Sequence, residues 1–213
     1  MTKKHQIHNL IILDESGSME SIKKTIIQGF NELVQTIQGI EKQFPEQEHF
    51  ISLLSFNGFG HKWLHFMDSA SNLTQINDKN YNPAALTPLF DALDVGIGKL
   101  RQELQNQNDF NVLVTILTDG AENDSKEYAA IDIKKIIETL KKERWTFTYI
   151  GTDHDVEKIA VSISINNTLV FEKNEEEINK MFVREQNARS NYSKRISRNE
   201  DTSSDYYKAE EQN

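Results

Sequence analysis

Asp14, Ser16 and Ser18 stand at alternate positions in "DESGS", where the chain breaks out of the apolar run Leu10-Ile11-Ile12-Leu13. In an extended segment alternate side chains point the same way, so one carboxylate and two hydroxyls can face a single point. Thr87 in "ALTPLFDAL" and Asp119 in "ILTDG" offer two more oxygens of the same kind. Hard oxygen donors without nitrogen or sulfur suit Mg2+, with Mn2+ or Ca2+ fitting less well, and do not suit zinc or copper. Because most of these donors are neutral hydroxyls, a bound ion would keep much of its charge. It would accept one further anionic oxygen from an Asp or Glu of a partner protein. Each piece also has an ordinary explanation. Asp, Ser and Gly are common loop residues, Ser18 can cap the helix that follows, and Thr87-Pro88 reads as an N-cap followed by proline at the first helical position.

The pieces share a meaning only if the fold carries them to one edge, and the patterning predicts that it does. Apolar runs at 8–14, 49–56, 61–68, 110–120, 145–153 and 168–173 read as strands. Between them lie helical stripes, such as Ile22, Ile26, Phe30, Leu33, Ile37 and Ile40, or Leu89, Leu93, Ile97, Leu100 and Leu104. The connector "NGFG" reads as a hairpin turn joining the second and third strands. This alternation predicts an α/β, Rossmann-like, doubly wound sheet of six strands, mainly parallel with one antiparallel edge strand and helices on both faces. In such sheets ligands bind beyond the carboxyl ends of the strands, where the strand order switches. Asp14 and Asp119 each stand at the end of an apolar run.

The rest of the chain bounds the possibilities. Of 213 residues 37% are hydrophobic and 27% charged, enough for one domain with a core and a polar surface. The net charge of −9, from 24 basic against 33 acidic residues, and the lack of a dense basic cluster before residue 184 argue against a nucleic-acid partner. There is no cysteine, hence no disulfide and no thiol chemistry. No signal-peptide pattern or membrane-spanning run is evident, so the expectation is a cytoplasmic protein away from the membrane. Residues 1–186 are expected to form the domain, and the charged, Ser- and Asn-rich residues 187–213 a flexible tail.

With "DESGSM", "TPLFDAL" and "LTDGAENDS" the chain resembles the von Willebrand factor type A (vWA) domain, over about residues 5–173, and looks most like its small stand-alone bacterial members. The family's metal-ion-dependent adhesion site is D-x-S-x-S with a distant Thr and a distant Asp. The resemblance therefore implies that Ser16, Ser18 and often Thr87 touch a Mg2+ directly. It implies that Asp14 and Asp119 commonly act through water. Many members carry Gly where this chain has Ala85, a change that removes no ligand. The function implied is a metal-dependent protein-binding module, not an enzyme. Loops 57–60, 85–88, 120–125 and 152–155 would form the rim, with Met19, Phe59, Glu122 and His154 as contact residues. A metal-dependent hydrolase of phosphoryl or acyl substrates, or a scaffold with a purely structural metal, are the alternatives. G-x-S-x-G, G-x-G-x-x-G and P-loop motifs are all absent.

Overall fold

The run that ends on Asp14 forms strand β1 (His5–Asp14) in a computed structural model that describes residues 4–152 and 155–208. Its alternation serves two cores at once: Leu10 and Ile12 point to one face of the sheet, Ile11 and Leu13 to the other. The other strands are β2 (Gln47–Asn57), β3 (Gly60–Ser69), β4 (Phe110–Leu117), β5 (Trp145–Thr152) and β6 (Asn167–Phe171). They form one six-stranded sheet in the order β3-β2-β1-β4-β5-β6. All neighbouring pairs are parallel except β2 with β3, the hairpin at the sheet edge. The expected fold class is therefore the observed one.

Helices α2 (Leu89–Leu104), α3 (Ala130–Leu140) and α4 (Asp155–Ser162) share a core with Leu10, Ile12, Val114 and Ile116. On the opposite face α1 (Lys23–Gln43) and α5 (Glu175–Ser197) pack over Ile11, Leu13, Ile51 and Leu117. These two helices approach closely at Gly29, where a Cβ would lie 2.0 Å from the Phe182 ring. Even alanine there would require the Phe182 ring or the helices to shift. Among the described residues no helix is long and apolar enough to cross a membrane.

The expected tail is corrected. Past residue 186 the chain continues α5 to Ser197, and residues up to Tyr206 return to the sheet, with Ala188, Arg189, Tyr192 and Tyr206 buried. The helical stripe Ile178, Met181, Phe182 does go on at the right spacing, but through Glu185 and Arg189, which a search for apolar residues passes over. Both are buried, and they form an ion pair at 2.9 Å. Arg189 also donates to Asn9 Oδ1 at 2.7 Å and Thr115 Oγ1 at 2.6 Å, and Tyr206 and Tyr207 donate to the two Glu185 oxygens at 3.1 and 2.8 Å. Every charge in this cluster has partners, which is the condition for burying one. Residues 209–213 lie outside the described structure.

From β1 the strand order runs to β2 on one side and to β4 on the other. Leu13 pairs with Leu117, so Asp14 and Thr118 come side by side at the carboxyl ends of the two central strands. This is the switch point of the sheet.

Candidate metal centre

Asp14 is fully buried, and its carboxylate is gripped from two sides. Its Oδ1 accepts from the Ser16 N–H at 2.7 Å and its Oδ2 from the Thr118 hydroxyl at 2.5 Å. Its backbone carbonyl accepts from the Tyr81 hydroxyl at 2.7 Å. Ser16 and Ser18 hydroxyls lie 3.1 Å apart, and Ser18 donates to Asp119 Oδ1 at 2.5 Å. Alternate spacing in "DESGS" thus does point these groups one way. Ser18 does not cap the helix: it sits inside a short 3-10 segment, Gly17–Ile22, and α1 follows without a side-chain cap. Its hydroxyl turns to the centre instead.

Thr87 arrives from the other side of the switch point. Its N–H donates to Asn123 Oδ1 at 2.9 Å and its carbonyl accepts from the Asn123 N–H at 3.2 Å, a reciprocal clasp between the loop before α2 and the loop after β4. The same loop is pinned to the first motif by Gly17 N–H to Ala85 C=O at 3.0 Å and Ala84 N–H to Glu15 C=O at 2.9 Å. Pro88, not Thr87, is the residue just before α2. Gly120 shows how closely the oxygens gather: a Cβ on it would lie 3.1 Å from Thr87 Oγ1, 3.5 Å from Ser18 Oγ and 3.7 Å from Asp14 Oδ2. One point beside Gly120 is therefore within reach of three of the predicted donors, and Ser18 bonds the fourth, Asp119. Ser16 adjoins through Ser18. The centre is open to solvent at exposed Ser18, while Asp14, Ser16, Thr87 and Asp119 are buried.

Among the described residues no three His, Asp or Glu side chains converge as a metal cluster. The donor set is instead two carboxylates among hydroxyls, which fits a hard divalent ion held loosely. Burial pushes the Asp14 carboxyl up to about 6; the Thr118 and Ser16 bonds oppose that rise and the Asp119 charge adds to it. A cation among these oxygens would reverse the shift by favouring the ionised form.

Several residues that build the centre give little sign of it in the sequence. Thr118 sits in an ordinary T-D-G turn, and only the register of β1 against β4 brings it to Asp14. Glu15 is buried, with Oε2 accepting from Ser55 at 2.7 Å and Oε1 from the Lys62 ammonium at 2.7 Å and from the Asn82 N–H, so it ties β2, β3 and the 80s loop behind the motif. Asp91 accepts from the backbone N–H groups of Lys126, Glu127 and Tyr128 at 2.8 to 3.1 Å, ordering the loop after β4.

The rim needs corrections. Met19 is wholly buried, because the 3-10 segment turns it down among Ile22, Ile26 and Leu13. Glu122 is half-buried and used locally: its oxygens accept from the N–H groups of Phe90, Asp124 and Ser125 and from the Ser125 hydroxyl, which caps α2 and holds its own loop. Phe59 is 84% exposed at the hairpin tip, and Leu86 beside it is 51% exposed. Gly58 brings the two loops together, since a Cβ there would lie 2.9 Å from the Leu86 nitrogen. His154 falls outside the described residues. A groove of about 300 Å³ runs along this side between Phe59, His61, Pro88 and Asp124. A second cavity, about 630 Å³, lies at the opposite end of the sheet, and none of the predicted site residues lines it.

Comparison with known proteins agrees with this architecture. Solved structures that match include a von Willebrand factor type A protein from Catenulispora acidiphila, at 12% identity and a TM-score of 0.57, covering 86% of this chain and 42% of that one. Proximal thread matrix protein 1 from the mussel byssus matches at 14% identity and a TM-score of 0.55, over 84% of this chain and 45% of its own. The pilus adhesin SpaC of Lactobacillus rhamnosus GG, in its open conformation, matches at 14% and 0.61, over 93% and 31%. This chain thus spans less than half the length of each, and at these identities the likeness is one of fold. No curated protein matches. The model of the von Willebrand factor type A domain matches residues 10–184, most of the chain, and together with the sheet order and the helices around it this places the protein in the von Willebrand factor type A domain family.

Proposed function

We propose that this chain is a Mg2+-dependent protein-binding module that captures an Asp or Glu carboxylate of a partner protein and performs no turnover. The observation that carries the proposal is the convergence of Asp14 Oδ2, Ser18 Oγ and Thr87 Oγ1 on one point beside Gly120, with Asp119 hydrogen-bonded to Ser18. Asp14, Ser16, Ser18, Thr87 and Asp119 would hold the ion. Once bound, a divalent cation would supply a positively charged acceptor for a carboxylate oxygen. The protein's own residues do the remaining work. Thr118 and the Ser16 N–H fix the Asp14 carboxylate, and Asn123 fixes Thr87. Exposed Ser18 leaves one side open to a visitor. Phe59 and Leu86, exposed on the same edge, offer apolar contact around the carboxylate. The adhesin and the thread matrix protein among the structural neighbours are in keeping with a protein partner.

Titration calorimetry with MgCl2, followed by affinity capture with and without chelator, tests this. The expected result is Mg2+ binding in the wild type, a captured protein that is released by chelator, and loss of both in folded Asp14→Ala and Asp119→Ala variants. A metal-dependent phosphoester or acyl hydrolysis that Asp14→Ala stops would replace the proposal with an enzyme. A bound metal on which no partner depends would leave it a structural ion.

A further inference from the structure

The candidate metal centre carries a cation of its own. Lys173 follows β6 and precedes Asn174, the N-cap of α5, and its Nζ stands 3.0 Å from Asp119 Oδ2. The two Asp119 oxygens are treated differently. Oδ1 accepts from Ser18, whereas Oδ2 is buried and, among the described residues, has the Lys173 ammonium as its ion-pair partner and no hydrogen-bond donor. Among the described residues no other cationic side chain pairs with Asp14 or Asp119.

We propose that Lys173 is an internal counter-cation that competes with the divalent ion for Asp119. It lowers the metal affinity of the site and keeps the centre assembled when no metal is bound. This rests on the metal-binding reading above. A divalent ion at Asp119 and an ammonium at the same carboxylate are like charges a few ångströms apart, so occupancy by one opposes the other. Lysine suits an exchange of this kind, since its charge is compact and its stem has four flexible carbons. The side chain is 37% exposed and can swing into water. Its backbone, by contrast, is held on the helix side, where Asn174 N–H donates to Glu172 C=O at 2.7 Å and Asn174 Oδ1 accepts from Glu177 N–H at 3.0 Å. Displacement of Lys173 would therefore need a rotamer change and no movement of α5.

The test is titration calorimetry with MgCl2 and MnCl2 on the full chain, comparing wild type, Lys173→Met and, as a polar replacement should that variant fold poorly, Lys173→Gln. Asp119→Ala serves as the non-binding control. The expected result is metal binding tightened about two- to fivefold by loss of Lys173, the competition to be expected from one partly exposed ion pair. Without metal the same variants should melt below wild type, and with saturating metal the gap should close. Equal affinity in wild type and both variants would overturn the role of Lys173 while leaving the metal site standing, and weaker binding in the variants would overturn it too. Absence of binding in every protein would instead refute the metal reading itself.

Discussion

Replacing Asp14 by asparagine should stabilise the metal-free protein while abolishing its response to Mg2+. Folding places this carboxyl at full burial and pushes it from 3.8 to about 6, so at pH 7 the fold holds an ionised group against its preference. At about 1.4 kcal/mol per pKa unit the cost is about 3 kcal/mol. Asparagine keeps an oxygen for the Ser16 N–H, but its amide faces Thr118, whose hydroxyl must turn and accept instead of donate. Losing the quality of that bond costs about 1 kcal/mol or somewhat more. The net gain is about 1–2 kcal/mol, or roughly 2–8 °C in Tm for a chain of this size. The pH dependence has a definite sign. A carboxyl raised on folding contributes its stability fully below 3.8 and loses it as pH rises through about 6. The advantage of the Asp14→Asn variant should therefore be largest at pH 7 and vanish near pH 4. Urea denaturation in chelator at both pH values measures it, and repetition with Mg2+ should raise the wild type alone. A variant less stable than wild type in chelator at pH 7 would refute the idea that this carboxylate is held at a cost to the fold.

Three other perturbations probe the frame. Burial lowers His8 to about 4 and His49 to about 3, the latter helped by the nearby Arg189 and His5 charges, so stability present above about 6.5 should be lost as pH falls towards those values. His8 stacks on Phe50 at 5.1 Å, and His8→Phe should flatten that acid loss in urea midpoints; an unchanged slope would count against it. Ala85 adopts φ 62°, a left-handed backbone costing about 1–2 kcal/mol in a residue with a Cβ, so Ala85→Gly should be neutral or stabilising by up to about 1 kcal/mol in thermal melts, unlike most such changes. Arg189→Met leaves the buried Glu185 without its counter-charge, with only the two tyrosine hydroxyls to hold it, and should cost about 3–5 kcal/mol in urea denaturation, more than the Arg189→Met/Glu185→Gln double variant.

The strands, and the gathering of the candidate oxygens at one sheet edge, are readable because each announces itself in local pattern. β1 carries the apolar run Leu10–Leu13 up to Asp14, and β4 is mostly apolar and ends at Leu117, two residues before Asp119, as a parallel strand buried on both faces requires. Alternation in "DESGS" likewise maps directly onto the shared direction of Ser16 and Ser18. What escaped depends on tertiary partners. Thr118 matters through its register with Asp14, and Glu15 through Ser55 and Lys62 on other strands. Met19 looked like a surface residue because a 3-10 turn cannot be told from a loop by composition, and it is that turn which directs the side chain inward. Residues beyond 186 looked unstructured because their core-facing positions are filled by a charged pair and tyrosines, whose burial makes sense only beside Asn9 and Thr115.

That last cluster decides where the domain can be cut. The family match stops at residue 184, one position before Glu185. A chain cut there would strip the cover from Ile7 and Leu113 and leave Asn9 and Thr115 without the guanidinium that joins them. Kinship and foldability thus draw different borders on this protein. Anyone isolating the domain by likeness would keep every oxygen of the candidate metal centre, yet discard the segment that seals the sheet behind it.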